Sequence, residues 1–227
     1  MSSDIFELRI SMRNYFSSHH LWAARMFADE AQALEKMHSG EKSKFDIRHR
    51  ALINGTILSS VAFLESAINE LYQDATDKKD LSYIEPLSKK AIGLLGAKWK
   101  EWFYGSRRIH KSILEKYNIA MECCGLKPFD KGKTPFQEVA LVIKLRNTLV
   151  HFMPEDVCSD IPHELGDSLK SYFPENKMMK NSGNPFFPDK CLGAGCAFWA
   201  ISSVVEFADA FFAQIKVMPN YQRVRFE

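Results

Sequence analysis

Several signals are missing from this chain, and each absence removes a class of function. Charge of neither sign dominates: the formal net charge is +2 over 227 residues. That excludes a protein that holds nucleic acid by bulk positive charge and leaves room only for a local basic patch. Cysteine is sparse and odd in number (Cys123, Cys124, Cys158, Cys191 and Cys196). No spacing among them matches a paired metal framework, so a reduced, cytoplasmic protein is expected. The pair Cys191 and Cys196, set among Gly193 and Gly195, reads as small residues permitting close packing, not as a redox or metal pair. The histidines His19, His20, His49 and His163 show no ligand spacing, so no metal is expected. There is no glycine-rich phosphate loop and no Ser–His–Asp signature. Strand-type alternation is nearly absent and no repeat of 20–50 residues is visible. The first residues, Met1-Ser2-Ser3-Asp4, lack a basic region followed by an apolar one, which argues against a secretory signal. The longest apolar run, from Ala194 to Ile215, carries Glu206 and Asp209 near its middle. It therefore reads as a buried core helix, and no membrane span is expected.

What is present is helix. Hydrophobic residues make up 46% and charged residues 26%, enough apolar material for a core in one domain over 1–227. Helical periodicity predicts a first helix from about Ile5 to Met37. Asp46 is a candidate N-cap for a second, from Ile47 to about Asp74. Further helices are predicted over Pro86–Trp102 and Ser106–Cys124, with Gly125 as the stop. Thr134-Pro135-Phe136-Gln137 has the form of a capping box with Pro at the first helical position. It starts a helix running to about Phe152, because Pro154 disfavours helical geometry at Met153. An irregular stretch near 155–188 holds at most a short helix, and a last helix covers 189–217. The tail from Tyr221 to Phe226 reads as extended. These elements predict an all-α bundle of antiparallel helices.

One stretch carries chemistry: Lys144-Leu145-Arg146-Asn147-Thr148-Leu149-Val150-His151-Phe152. Guanidinium and imidazole groups inside an apolar helix are costly unless satisfied or used. Phe136, Val139, Ala140, Ile143, Asn147 and Val150 form one stripe of this helix, and Leu141, Leu145, Thr148, Leu149 and Phe152 cover much of the other side. A helix apolar nearly all round is expected to be buried or at an interface. Asn147 and His151, four apart, share a face. Arg146 lies roughly 140° from His151 around an ideal helix. One straight helix therefore aims the two poorly at a single point, whereas two copies meeting across a symmetric dimer bring them together.

Arg146-Asn147-Thr148-Leu149-Val150-His151, an arginine followed by a polar residue with a histidine after four intervening positions, resembles the signature of the HEPN superfamily. The resemblance covers about 46–152, including the earlier helix through Phe63-Leu64-Glu65-Ser66-Ala67-Ile68-Asn69-Glu70-Leu71-Tyr72, with the 189–217 helix as a closing element. The helix before Asp46 and the 155–188 stretch are extra to the family's minimal form. The resemblance implies a metal-independent endoribonuclease, without cofactor, acting as a homodimer with a composite site at the interface. His151 would serve as general base on the RNA 2′-hydroxyl or as acid on the leaving 5′-oxygen; an imidazole titrates in the right range for either. Arg146 would hold the scissile phosphate, and Asn147 would orient the histidine or a phosphate oxygen. Such nucleases are often toxins or anti-phage effectors, which implies an antitoxin or regulatory protein as a further partner. One mode of silencing modifies a tyrosine two positions after the histidine; here that position is Met153. A helical module of the same fold that binds RNA or a protein without cutting is the alternative.

Two secondary expectations accompany this reading. The stretch from Lys98 to Lys111 mixes bases with aromatics, which suits single-stranded RNA. Lys98, Lys100, Arg107, Arg108 and His110 are its candidate contacts, against an ordinary helical junction with core Trp and solvated Lys. Glu65 is a candidate counter-ion for Arg146 within the core.

Overall fold

The computed structural model describes residues 12–38, 42–77, 84–105, 109–158 and 161–224, with side chains through 222. Among these the chain is all-helical, with no strand: α1 (Ser17–Met37), α2 (Ile47–Asp77), α3 (Lys89–Tyr104), α4 (Ile113–Cys123), α5 (Phe136–Val150), α6 (Glu164–Leu169) and α7 (Ala194–Gln214), with short turns of helix at Lys177–Met179, Phe186–Lys190 and Asn220–Val224. The architecture is an all-α bundle.

α1 starts at Ser17, after non-helical residues that the periodicity assigns to it; the predicted stretch before Met12 lies outside the described residues. Residues 12–16 are not helical, because their polar groups are claimed by the far end of α2. Arg13 pairs with Asp74 and Asp77, and Tyr15 donates to Asp74 Oδ1 at 3.3 Å. The Ser17 amide and hydroxyl both donate to Glu70, at 2.8 Å each. Burial pushes the Glu70 carboxyl above its ordinary pKa, against the pull of these bonds from Ser17. From Ser17 on, Ala24, Ala28 and Ala31 are all fully buried. Their spacing at i, i+4 and i+7 lays a shallow face against α2. The N-terminal helix is thus part of the core.

The Asp46 cap is formed: its Oδ1 accepts the His49 amide at 3.0 Å, satisfying one of the orphan donors of a helix start. α4 begins at Ile113, not near Ser106, because Ser112 and Glu115 make the reciprocal capping box there. Gly125 ends it as expected, at φ +75°. Its amide bonds Glu122 O and the Leu126 amide bonds Met121 O, both at 2.9 Å, the Schellman arrangement.

α2 and α7 form the centre. Their mutual direction follows from their partners: the start of α7 lies beside the end of α1 and the start of α2, through Glu35, His49 and the Ala194 amide. Further along, Tyr117 donates to Leu64 O at 2.8 Å and packs edge-on against Phe207 and Phe211. α1 and α2 are therefore antiparallel, while α7 returns alongside α2 in the same direction. α2 and α7 are long and apolar enough to cross a membrane by composition alone. Each directs its largest side chains (Phe63, Leu64, Tyr72, Phe207, Phe211, Phe212) into the shared core. α7 is shorter than the expected 189–217: Asp189 lies in the preceding turn, where it holds Arg50 at 2.7 Å and Asn184 at 2.6 Å. The last described residues make a helical turn at Asn220–Val224 where an extended piece is expected from Tyr221, with Tyr221 donating to Asp209 at 2.9 Å; the rest of that piece lies outside the described residues.

The irregular 155–188 region does hold a short helix, α6. It is organised by buried Asn176, whose amide donates to Asp189 O and Leu192 O and whose carbonyl accepts the Met178 amide. Gly193 and Gly195 have the packing role expected of them. A Cβ at Gly193 would lie 2.6 Å from Asn176 Cα, and one at Gly195 2.7 Å from the Pro174 carbonyl oxygen. Cys191 and Cys196 are buried. Burial and the neighbouring Cys191 raise the Cys196 thiol well above its usual pKa, which suppresses the reactive thiolate.

Candidate functional site

The helix that carries the motif is packed differently from the expectation of near-complete burial. α5 buries one side only, through Phe136, Val139, Val142 and Leu145, against α7 and α2. This splits the expected stripe, since Phe136 and Val139 are inside while Asn147 and Val150 are exposed. The expected capping box at Thr134 is not formed. Pro135 holds the N-cap position without a side-chain bond, and the Thr134 hydroxyl donates to Glu138 Oε1 at 3.2 Å. At the other end the helix stops at Val150, with His151 as C-cap and its amide donating to Asn147 O at 2.9 Å.

Asn147 and His151 are exposed and open onto a groove of about 860 Å³. Its wall on α5 is Ala140, Ile143, Lys144, Asn147 and Thr148, and its other lining is the non-helical run from His151 to Glu155. Apolar residues at this end stand uncovered: Val150 and Phe152 are each 49% exposed and Met153 80%. Among the described residues neither the Asn147 amide nor the His151 imidazole has a hydrogen-bond partner, so both are free for an incoming group.

Arg146 does not line this groove. It sits half-buried on the packed side of α5, where helical geometry places it close to the Val142 and Val139 direction. The structure therefore does not bring Arg146 and His151 of one chain together. Nor does it pair Arg146 with Glu65: the Glu65 carboxylate accepts from Lys116 Nζ at 2.9 Å, which also donates to Asn69 Oδ1 at 3.0 Å. Lys116 is only 5% exposed, so its ammonium demands those oxygens, and the Arg146 side chain makes no ion pair among the described residues.

The basic-aromatic stretch is mostly a core junction. Trp99 and Trp102 are buried against Tyr72, with Trp99 stacked on it at 5.6 Å and Trp102 edge-on at 5.0 Å. The Trp99 indole donates to Gln73 at 2.7 Å. Lys98 is engaged by Glu101 at 2.9 Å, whereas Lys100 and His110 are exposed. Arg107 and Arg108 lie outside the described residues. Lys98, Lys100 and His110 do not line the groove beside His151.

Groups that the sequence reading assigns no role do line it. Lys144 precedes Asn147 by three and His151 by seven, so all three share a face. Its Nζ donates to Glu164 Oε1 on α6 at 2.6 Å. The Lys144 ammonium holds the Glu164 carboxyl below its ordinary pKa. Thr148 also faces the groove, but its hydroxyl is turned back to Lys144 O at 3.1 Å. Glu155 closes the far end and lies 3.3 Å from His163 Nε2. The i, i+3, i+7 spacing of Lys144, Asn147 and His151 was available as a signal for this face; the carboxylate that meets Lys144 was not, since Glu164 is brought to it by the irregular segment. Among the described residues no three His, Cys, Asp or Glu side chains are grouped to hold a metal ion.

Compared with models of protein families, with curated proteins and with solved structures, the chain matches none.

Proposed function

We propose that this chain is a metal-independent endoribonuclease of HEPN type, working as a homodimer whose site takes His151 and Asn147 from one protomer and Arg146 from the other. The observation that carries the reading is the divided end of α5. Asn147 and His151 are unpartnered beside an open groove rimmed by bare Val150, Phe152 and Met153, while Arg146 faces away from them. A second copy across a two-fold axis would cover the apolar rim and supply the missing guanidinium. In that site His151 takes the proton of the RNA 2′-hydroxyl as its oxygen attacks the adjacent phosphorus, or gives a proton to the departing 5′-oxygen as the P–O5′ bond breaks. The products are a 2′,3′-cyclic phosphate and a 5′-hydroxyl. Arg146 neutralises charge gathering on the phosphate oxygens. A toxin or anti-phage role in the cytoplasm, with an antitoxin or regulatory protein as partner, rests on the resemblance alone.

The test uses purified protein in EDTA with single-stranded RNA. Wild type should cleave, and His151→Ala and Arg146→Ala should each lose at least about a hundredfold, the scale of a removed acid–base group. Mixing the two inactive variants and letting protomers exchange should restore roughly a quarter of wild-type activity. Half of the dimers are then mixed, and each mixed dimer has one intact site of two. Cleavage that survives in His151→Ala overturns the assignment. Inactive singles with no recovery on mixing would place Arg146 and His151 in the same chain's site.

A further inference from the structure

The groove beside His151 has a cation of its own, and the carboxylate now seated on it marks what that cation binds. Lys144, Asn147 and His151 stand on one face of α5, and all three line the groove. The Lys144 ammonium is met at 2.6 Å by Glu164. Glu164 is well exposed: its side chain is 87% accessible and Lys144's is 46%. An ion pair so open to water is held by little and is easily exchanged for another oxyanion. The exposed Asn147 amide offers two further N–H donors one turn on. Three groups in a row (an ammonium, an amide and an imidazole) on a groove wall suit a backbone of successive phosphates.

We propose that Lys144 is a phosphate-binding residue for RNA in this groove, and that Glu164 occupies the phosphate position in the RNA-free protein, so that substrate must displace it. This rests on the nuclease reading, and it assigns a division of labour within it. Lys144 holds a phosphate flanking the scissile one, in the same protomer as the proton-transferring His151, while Arg146 from the other protomer acts at the scissile phosphate. A strand is then gripped on both sides of the cut, and Glu164 sets a threshold against weakly bound anions.

Binding is measured by fluorescence anisotropy with a fluorescein-labelled single-stranded RNA oligonucleotide in EDTA, all in the His151→Ala background so that the RNA stays intact. Lys144→Gln should weaken binding roughly tenfold, one charge-assisted bond, and reduce the slope of log Kd against log salt by about 0.7. Lys144→Arg should retain most of the affinity. Glu164→Gln should tighten binding several-fold, and the Lys144→Gln/Glu164→Gln double variant should bind like Lys144→Gln alone, because the carboxylate acts only through the ammonium. Lys133→Gln removes the same charge from a lysine that does not line the groove and should leave affinity within about twofold. If Lys144→Gln changes affinity and slope no more than Lys133→Gln does, Lys144 is not the phosphate residue, and the nuclease reading is untouched. If tightening by Glu164→Gln persists in the double variant, Glu164 acts as a general repulsive charge, and the displacement claim falls. RNA that does not bind the His151→Ala protein at any salt concentration overturns both readings.

Discussion

At the scale of single residues, the decisive fact is that the motif's two basic groups have opposite surroundings. His151 is exposed at the end of α5, and Arg146 is half-buried on its packed side. Because Glu65 is committed to Lys116, removing Arg146 strands no buried carboxylate. Arg146→Ala should therefore change the free energy of unfolding by about 1 kcal/mol or less, as for a position outside any buried network, while abolishing cleavage. Urea unfolding followed by circular dichroism checks this; a loss of several kcal/mol would show Arg146 to be a structural ion-pair partner. Lys144 lines the groove together with Ala140 and Ile143, and a lysine commonly places its charge at the edge of an apolar surface. The Arg–Asn–His spacing was legible in the sequence. Which of the three look outward was not, because an apolar-looking helix can bury either of its two candidate stripes.

At the scale of elements, the fold is tied together where three helices meet. Glu35, near the end of α1 and 3% exposed, accepts from the Ala194 amide at 2.6 Å and lies 3.1 Å from His49 Nε2 at the start of α2. A carboxylate at the N-terminus of α7 meets the helix's orphan donors and its positive end, and Gly193 is bare so that it can approach: a Cβ there would lie 3.0 Å from Glu35 Oε1. Glu35→Ala leaves a buried amide and a buried imidazole without their acceptor and should cost about 3 kcal/mol. His49→Ala in the Glu35→Ala background should then add less than it does alone, since the two share one network. Denaturation of the four members of the cycle measures this, and additive effects would mean that the contact contributes nothing. Periodicity located α2 and α5 closely, because their stripes are long. It misplaced the starts of α1 and α7, where the distant partners Glu70 and Glu35 set the boundary. Local pattern carries no information about a carboxylate 53 or 159 residues away.

At the scale of the whole molecule, the bundle leaves one end of α5 unfinished. Val150, Phe152 and Met153 are bare next to the groove, and a cluster of apolar side chains beside unpartnered polar groups is the mark of an interaction surface. Wild-type protein should sediment as a dimer at micromolar concentration, and Met153→Glu, at an 80% exposed site where a charge harms no core, should shift it to monomer and reduce cleavage together with it. A wild-type monomer, or a Met153→Glu dimer of full activity, would show that this surface is not where copies meet. The rest of the shape follows from packing. α1 is built into the core by Ala24, Ala28 and Ala31, and the irregular 155–188 stretch carries Glu164 to Lys144.

The sequence by itself determined that this protein is helical, because periodicity, capping residues such as Asp46 and the Gly125 stop act within a few neighbours. It also determined that Arg146 and His151 diverge, since about 100° per residue is a property of any helix. Only the tertiary structure decided which side of α5 is sealed, which carboxylate answers which cation and where the open groove lies. Those outcomes depend on side chains far apart in the chain competing for the same burial, and Lys116 took Glu65 while Glu164 came to Lys144.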